Sequence, residues 1–454
     1  NGMQSRISRF LDKRNQPLGK GPIEKTLFII PRPEYIDGNL NTLTKGINYQ
    51  VVDNQLRLVM DTALDFTFPL WVDPTLRADA DADVILNGQS AGDNFGFSVA
   101  SAGDFNGDGI DDIIVGAYLD DTRVQEAGVA FIFFGGITGT KRADTDADVI
   151  LLGQDINDEF GISVATAGDF NGDGNDDVII GASSDNGNSA TNSGRAFIFF
   201  GGITGTKTAD TDADVILNGQ SANDFFGRSV ASAGDFNGDG KSDVVIGSTS
   251  DTGNASSSGR AFIFFGGITG SKTADADADV ILNGQSSGDK FGRDLASAGD
   301  FNGDGKDDVI VGATGDDPLG NANAGSAFIF FGGITGTKTA DADANVVLRG
   351  SGAGDLFGAS VASAGDFNGD GKDDVIVGAP LDDNNSASDS GSAFIFFGGI
   401  TGTKTADADA DVILNGQSAG DEFGGSFDDG SSFHSTATAT GDFNGDGTSD
   451  VIVG

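Results

Sequence analysis

Six copies of the string Gly-Asp-Phe-Asn-Gly-Asp-Gly hold the residues best suited to chemistry, with first aspartates at Asp104, Asp169, Asp235, Asp300, Asp366 and Asp442. In the first copy Asp104, Asn106, Asp108 and Asp112 place side-chain oxygens at positions 1, 3, 5 and 9 of a short loop. Gly109 at position 6 permits a tight turn, and the carbonyl of Ile110 at position 7 completes a shell of oxygens. Hard cations that take six to eight oxygen ligands are bound in this way. Calcium is favoured over magnesium, because magnesium tends to keep its waters where this loop supplies protein oxygens. The first half of the loop matches the start of an EF-hand. The second half does not, since Val115 stands where an EF-hand needs a bidentate Glu, and β-branched residues flank the loop.

The other five sets are Asp169, Asn171, Asp173 and Asp177; Asp235, Asn237, Asp239 and Asp243; Asp300, Asn302, Asp304 and Asp308; Asp366, Asn368, Asp370 and Asp374; and Asp442, Asn444, Asp446 and Asp450. Position 7 varies through Asn175, Lys241, Lys306, Lys372 and Thr448, as expected if only its carbonyl is used. One such loop can be an ordinary solvated Asp/Asn/Gly turn. Six copies that keep every oxygen position argue for ligands. Three carboxylates crowded together repel, so about six calcium ions and a calcium-dependent fold are expected.

These loops recur every 65 or 66 residues, except that the sixth unit carries ten extra residues around 428–434. Each unit reads as four short strands, termed A to D by their place in the repeat. In the first unit these are 98–102, 112–117, 128–135 and 149–152, with the acidic loop between A and B and a Gly/Thr/Asp-rich connector between C and D. Short β-branched and aromatic runs bounded by Gly, Asn and Asp are strand signals, and no helical period is visible. Four antiparallel strands repeated at a fixed period predict an all-β propeller of radially packed blades. A solenoid is the competing architecture, but its coils use shorter periods and parallel strands.

Composition excludes several functions. The formal net charge is −43, from 26 Lys+Arg and 69 Asp+Glu, and no basic cluster interrupts it, which argues against nucleic acid and anionic lipid. The chain has no Cys and one His, which removes disulfides, thiolate sites and His-based triads. No apolar run approaches the ~18 residues of a membrane span. No charged segment leads into an apolar core at the start. Residues 1–78 are near neutral and hold six of the eight prolines, while residues 79–454 carry −45. A compositional boundary therefore falls near Asp79.

Phe95-Gly96, the Asp104 loop and Val115-Gly116-Ala117 together resemble the FG-GAP repeat of the integrin α-subunit propeller and its bacterial relatives. The fifth unit gives the full form, with Phe357-Gly358 and Gly378-Ala379-Pro380. The resemblance covers residues 83–454. It implies a β-propeller, usually of seven blades, with calcium in the A–B hairpins and an extracellular setting. The first four units relax Gly-Ala-Pro, and no inserted metal-dependent adhesion domain is present, so integrin-style ligand capture is not assumed.

Seven four-stranded blades are expected, with six as the alternative. Residues 1–46 read as an extension with a latch strand at 26–31, residues 47–88 as a degenerate first blade, and residues 89–454 as calcium-binding repeats. The sixth unit stops at Gly454 after its B strand, so either the latch or a segment beyond Gly454 completes it. The degenerate blade would use runs at 47–52, 55–60 and 65–72 and the D strand at 83–88. The A–B loops and the Ala-Asp connectors are expected on one acidic face, with the connectors read as solvated turns or as extra cation sites. The B–C loops, which differ between units, are expected on the other face.

The expected function is a non-catalytic adhesion or cell-surface assembly module, with a protein or glycan partner, or copies of itself, and neither nucleic-acid binding nor membrane insertion. The alternatives are a structural subunit of a surface layer or filament, and a lectin or hydrolase with a pocket on the propeller. His434 and Trp71 are read as functionally silent.

Overall fold

A computed structural model of the chain describes residues 24–25, 47–52, 55–60, 82–187, 190–383, 388–428, 432–434, 437–442 and 447–454. It divides into two compact bodies, one of residues 1–85 with 443–446 and the other of residues 86–442 with 447–454. In the first body Ile47–Val52 and Gln55–Met60 pair antiparallel in full register, as the two runs predict, and Glu24–Lys25 adds to the outer side of the second. The expected runs at 26–31 and 65–72, and Trp71, lie outside the described residues.

The second body is built from the repeat. Strands A, B and C of the first unit are Ser98–Gly103, Asp112–Ala117 and Val129–Phe133, and D is Val149–Leu152. All neighbours pair antiparallel, and the same order recurs in the next four units. A strands of successive units pack side by side, which is the radial arrangement of a β-propeller. The sixth unit contributes an A–B hairpin, Ala437–Gly441 with Asp450–Val453. Its ten extra residues form a hairpin of their own, with Ser426 opposite His434.

The C–D connector departs from expectation. Gly205–Thr208 of the second unit is a strand, and it pairs parallel with Val149–Leu152, the D strand of the unit before. The equivalents Gly270–Thr273, Gly336–Thr339 and Gly402–Thr405 do the same. Each of these sheets therefore has a fifth strand lent by the following unit. A single helical turn, Ala209–Asp212 in the second unit, follows it and buries only its first alanine.

Packing follows from strand alternation. Phe131 and Phe133 face one side of their sheet and Ile132 the other, and all three are buried. One core cluster joins Ile114, Ile132 and Leu151 of the first unit to Val178, Ile180 and Phe197 of the second. Equivalent clusters lie between each later pair of sheets, so the apolar core is distributed between blades.

Candidate metal centre

The first four acidic loops are pinned from below by their own sequence. The Phe at position 2, as Phe105, Phe170, Phe236 and Phe301, is wholly buried, which fixes the turn over the core. The first Asp then collects the loop's amides. Oδ1 of Asp104 accepts from Asp108 N at 2.8 Å and Oδ2 from Gly109 N at 2.9 Å, and Asp108 Oδ1 accepts from Ile110 N at 3.0 Å. Loops two to five repeat this hub on Asp169, Asp235, Asp300 and Asp366. In the sixth, Asp442 Oδ2 accepts from Gly447 N at 2.8 Å, while Asn444 and Asp446 lie outside the described residues.

The Asp at position 9 opens strand B and is buried beneath the loop in the first five units. Asp177 Oδ2 accepts from Asn171 N at 3.0 Å and Oδ1 from Gly201 N at 2.8 Å, tying the loop to the glycine pair after strand C. Asp112, Asp243, Asp308 and Asp374 make the same two bonds. Burial pushes the carboxyls of Asp177, Asp243 and Asp308 up to about 7 and that of Asp374 to about 6. The two amide bonds oppose this rise, and the position 5 and position 1 carboxylates add to it for Asp177, Asp243 and Asp308. Asp112 is raised for the same reasons.

The structure thus brings positions 1, 3, 5 and 9 into one loop in each of the first five units. Among the described residues, no three His, Cys, Asp or Glu side chains stand close enough as they are to hold a metal ion. The carboxylates are turned onto the loop's own amides. The donor set still fits a hard cation: it is all oxygen, an ionised carboxylate accepts about four bonds, and each Asp hub spends only part of that capacity.

Position 7 does more than offer a carbonyl. Its side chain lies over the position 4 glycine of the preceding loop, and a Cβ built on Gly172 would stand 2.9 Å from Lys241 Cε. Position 8, which the sequence reading passed over, holds the preceding loop from beneath. Asp176 Oδ2 accepts from Asp104 N at 2.8 Å, Asp307 from Asp235 N at 2.7 Å and Asp373 from Asp300 N at 2.8 Å. The available signal was its restriction to short oxygen side chains, Asp111, Asp176, Ser242, Asp307, Asp373 and Ser449, beside a freely varying position 7.

The glycines explain the rest of the motif. The Gly96 amide donates to the Gly116 carbonyl at 3.0 Å, and Gly227 and Gly358 bond Gly247 and Gly378 in the same way. A Cβ on Gly181 would collide with the Gly227 carbonyl of the next unit, so the two glycines meet where no side chain fits. The FG-GAP repeat profile matches residues 95–133, 160–199, 226–264, 291–330 and 357–396. The chain is an FG-GAP repeat protein. It is 33% identical over 171 residues to integrin α-5 of Xenopus laevis, a match covering 36% of this chain and 15% of that protein. Integrin α-PS2 of Drosophila melanogaster is 31% identical over 188 residues, 39% of this chain and 12% of the relative. The phosphatidylinositol-glycan-specific phospholipase D of Bos taurus is 32% identical over 178 residues, 38% and 20% of the two chains. Each match therefore spans a fifth or less of the relative's own length.

The Ala-Asp connectors of this FG-GAP chain hold backbone amides and arginines. Asp277 Oδ2 accepts from Thr273 N at 2.7 Å and Asp279 Oδ2 from Phe265 N at 2.9 Å. Asp275 instead pairs with Arg260 at 2.6 Å, and Arg260 also pairs with Asp251 of the B–C loop at 2.5 Å. Arg195 joins Asp185 at 2.5 Å and Asp210 at 2.8 Å in the same way and lies over the Phe197 ring. The connector acids are thus divided between both ends of the sheet, which corrects the expectation of a single acidic face.

Proposed function

We infer that this FG-GAP propeller binds calcium in its A–B loops and serves as a non-catalytic adhesion or surface-assembly module outside the cell. The observation that carries the adhesion reading is at the opposite ends of the sheets. The B–C loops at 118–127, 183–193, 248–258, 314–324 and 380–390 differ in sequence, while the C strands and connectors around them are close copies. They are also built into the scaffold: Asn223 N donates to Thr191 O at 2.8 Å and Gly288 N to Ser256 O at 3.0 Å, each bond joining a B–C loop to the turn that leads from its own D strand into the next unit. Variable loops on a rigid repeated frame are where contacts with partners usually sit. The integrin α relatives support the same reading, and no helix among the described residues is long and apolar enough to cross a membrane.

Beads coated with the chain test it. Calcium-dependent attachment to cells or to one another is expected, and replacing the B–C loops with Gly/Ser loops of equal length should abolish it. Attachment that ignores those replacements would count against the reading. One observation favours a catalytic alternative, the match to a phospholipase D. A screen of phosphodiester and glycoside substrates tests that alternative, and turnover by the purified chain would displace the adhesion module.

A further inference from the structure

We propose that positions 7 and 8 of each loop set the cation affinity of the loop before it, so that loops with the same ligands bind calcium with graded strength. The proposal rests on the calcium reading and extends it to specific residues of this chain.

The covering groups are neighbours in space that lie about 70 to 80 residues further along the sequence. The stems of Lys241, Lys306 and Lys372 cross Gly172, Gly238 and Gly303, with Cε 2.9, 2.9 and 3.1 Å from a Cβ built there. Their ammonium groups rest against Gly267, Gly333 and Gly399, whose amides donate to the position 2 carbonyls of the same preceding loops. The Asn175 amide reaches Gly107, and Thr448 Cγ2 lies 3.2 Å from a Cβ on Gly369. All five are partly buried, so their charge or neutrality is screened less than at a free surface.

Loops one to five share the ligand types Asp, Asn, Asp and Asp, and the covers differ in charge. Asn175 with Asp176 places one negative charge at the first loop, and Lys241 with Ser242 places one positive charge at the second. Lys306 with Asp307, Lys372 with Asp373 and Thr448 with Ser449 are neutral as pairs. The loop from Asp104 should therefore be the tightest of the five and the loop from Asp169 the weakest. A unit charge a few ångströms from a divalent ion, in surroundings close to water, shifts an equilibrium constant by roughly fivefold to tenfold.

Calorimetric calcium titration of the intact chain at low ionic strength reads this grading. Asn175→Lys should weaken the tightest phase about tenfold, and Lys241→Gln should strengthen the weakest about fivefold, with the number of ions unchanged. Both shifts should shrink in about 0.5 M salt. Asn175→Gln controls for packing, and a loss equal to that of the lysine variant would overturn the charge argument. Variant isotherms that superimpose on the wild type at equal stoichiometry would overturn the proposal and leave the calcium reading intact. A wild-type chain that takes up no calcium removes the reading itself, and the proposal with it.

Discussion

Asp158 shows at the scale of one side chain how the end of the sheet opposite the A–B loops is balanced. It is buried in the turn before strand A of the second unit, and burial followed by the nearby Asp185 charge raises its carboxyl to about 7. Its unfolded value is near 3.8, so the folded chain binds the extra proton between those limits. Its contribution is therefore fully present below pH ~4 and is lost as pH rises through about 7. Asp158→Asn, which keeps an acceptor for Asp155 N, should raise Tm at pH 8 by on the order of 2 °C and leave it unchanged at pH 4, read by calorimetry. Arg195→Met should act in the opposite sense. It leaves Asp185, 2% exposed, without its 2.5 Å guanidinium partner, a loss of about 3 kcal/mol in denaturant titration. Gly194→Ala is as damaging, because φ is +78° and a Cβ would strike the Phe226 carbonyl.

Among the elements, the A, B, C and D strands were legible because their side chains alternate between two apolar clusters, and their edges fall within a residue or two of the expected ones. The lent strand was not. Gly-Thr-Lys-Thr has no apolar alternation, since it covers the outer edge of a neighbouring sheet with both faces mostly polar. The Ala-Asp turn after it spans four residues, too few to show a period, and its acids accept from backbone amides and pair with arginines. The acidic loops were legible as tight turns because positions 1, 3, 5 and 9 lie within nine residues. The role of position 8 was hidden because its partner belongs to another unit. Thr206→Pro tests the lent strand: it should weaken pairing with Ile150 and split the denaturant transition, whereas a single unchanged transition would show that the strand carries little of the coupling.

For the whole molecule, the distributed core makes stability a sum over neighbouring sheets, as in other repeat arrays. Ions that bind only the folded chain raise its Tm by mass action. Adding calcium to the EDTA-treated chain should therefore raise Tm, with the largest gain at low salt, and an unchanged Tm would count against occupied loops. The interlock also has a direction. Position 8 of each unit reaches back to the loop before it, and so does the lent strand to the preceding sheet. In a chain made from its N-terminus outward, each of the first five loops thus meets its position 8 partner only after some seventy further residues. A chain cut between two units would therefore lack the position 8 residue and the lent strand that close its last loop and sheet.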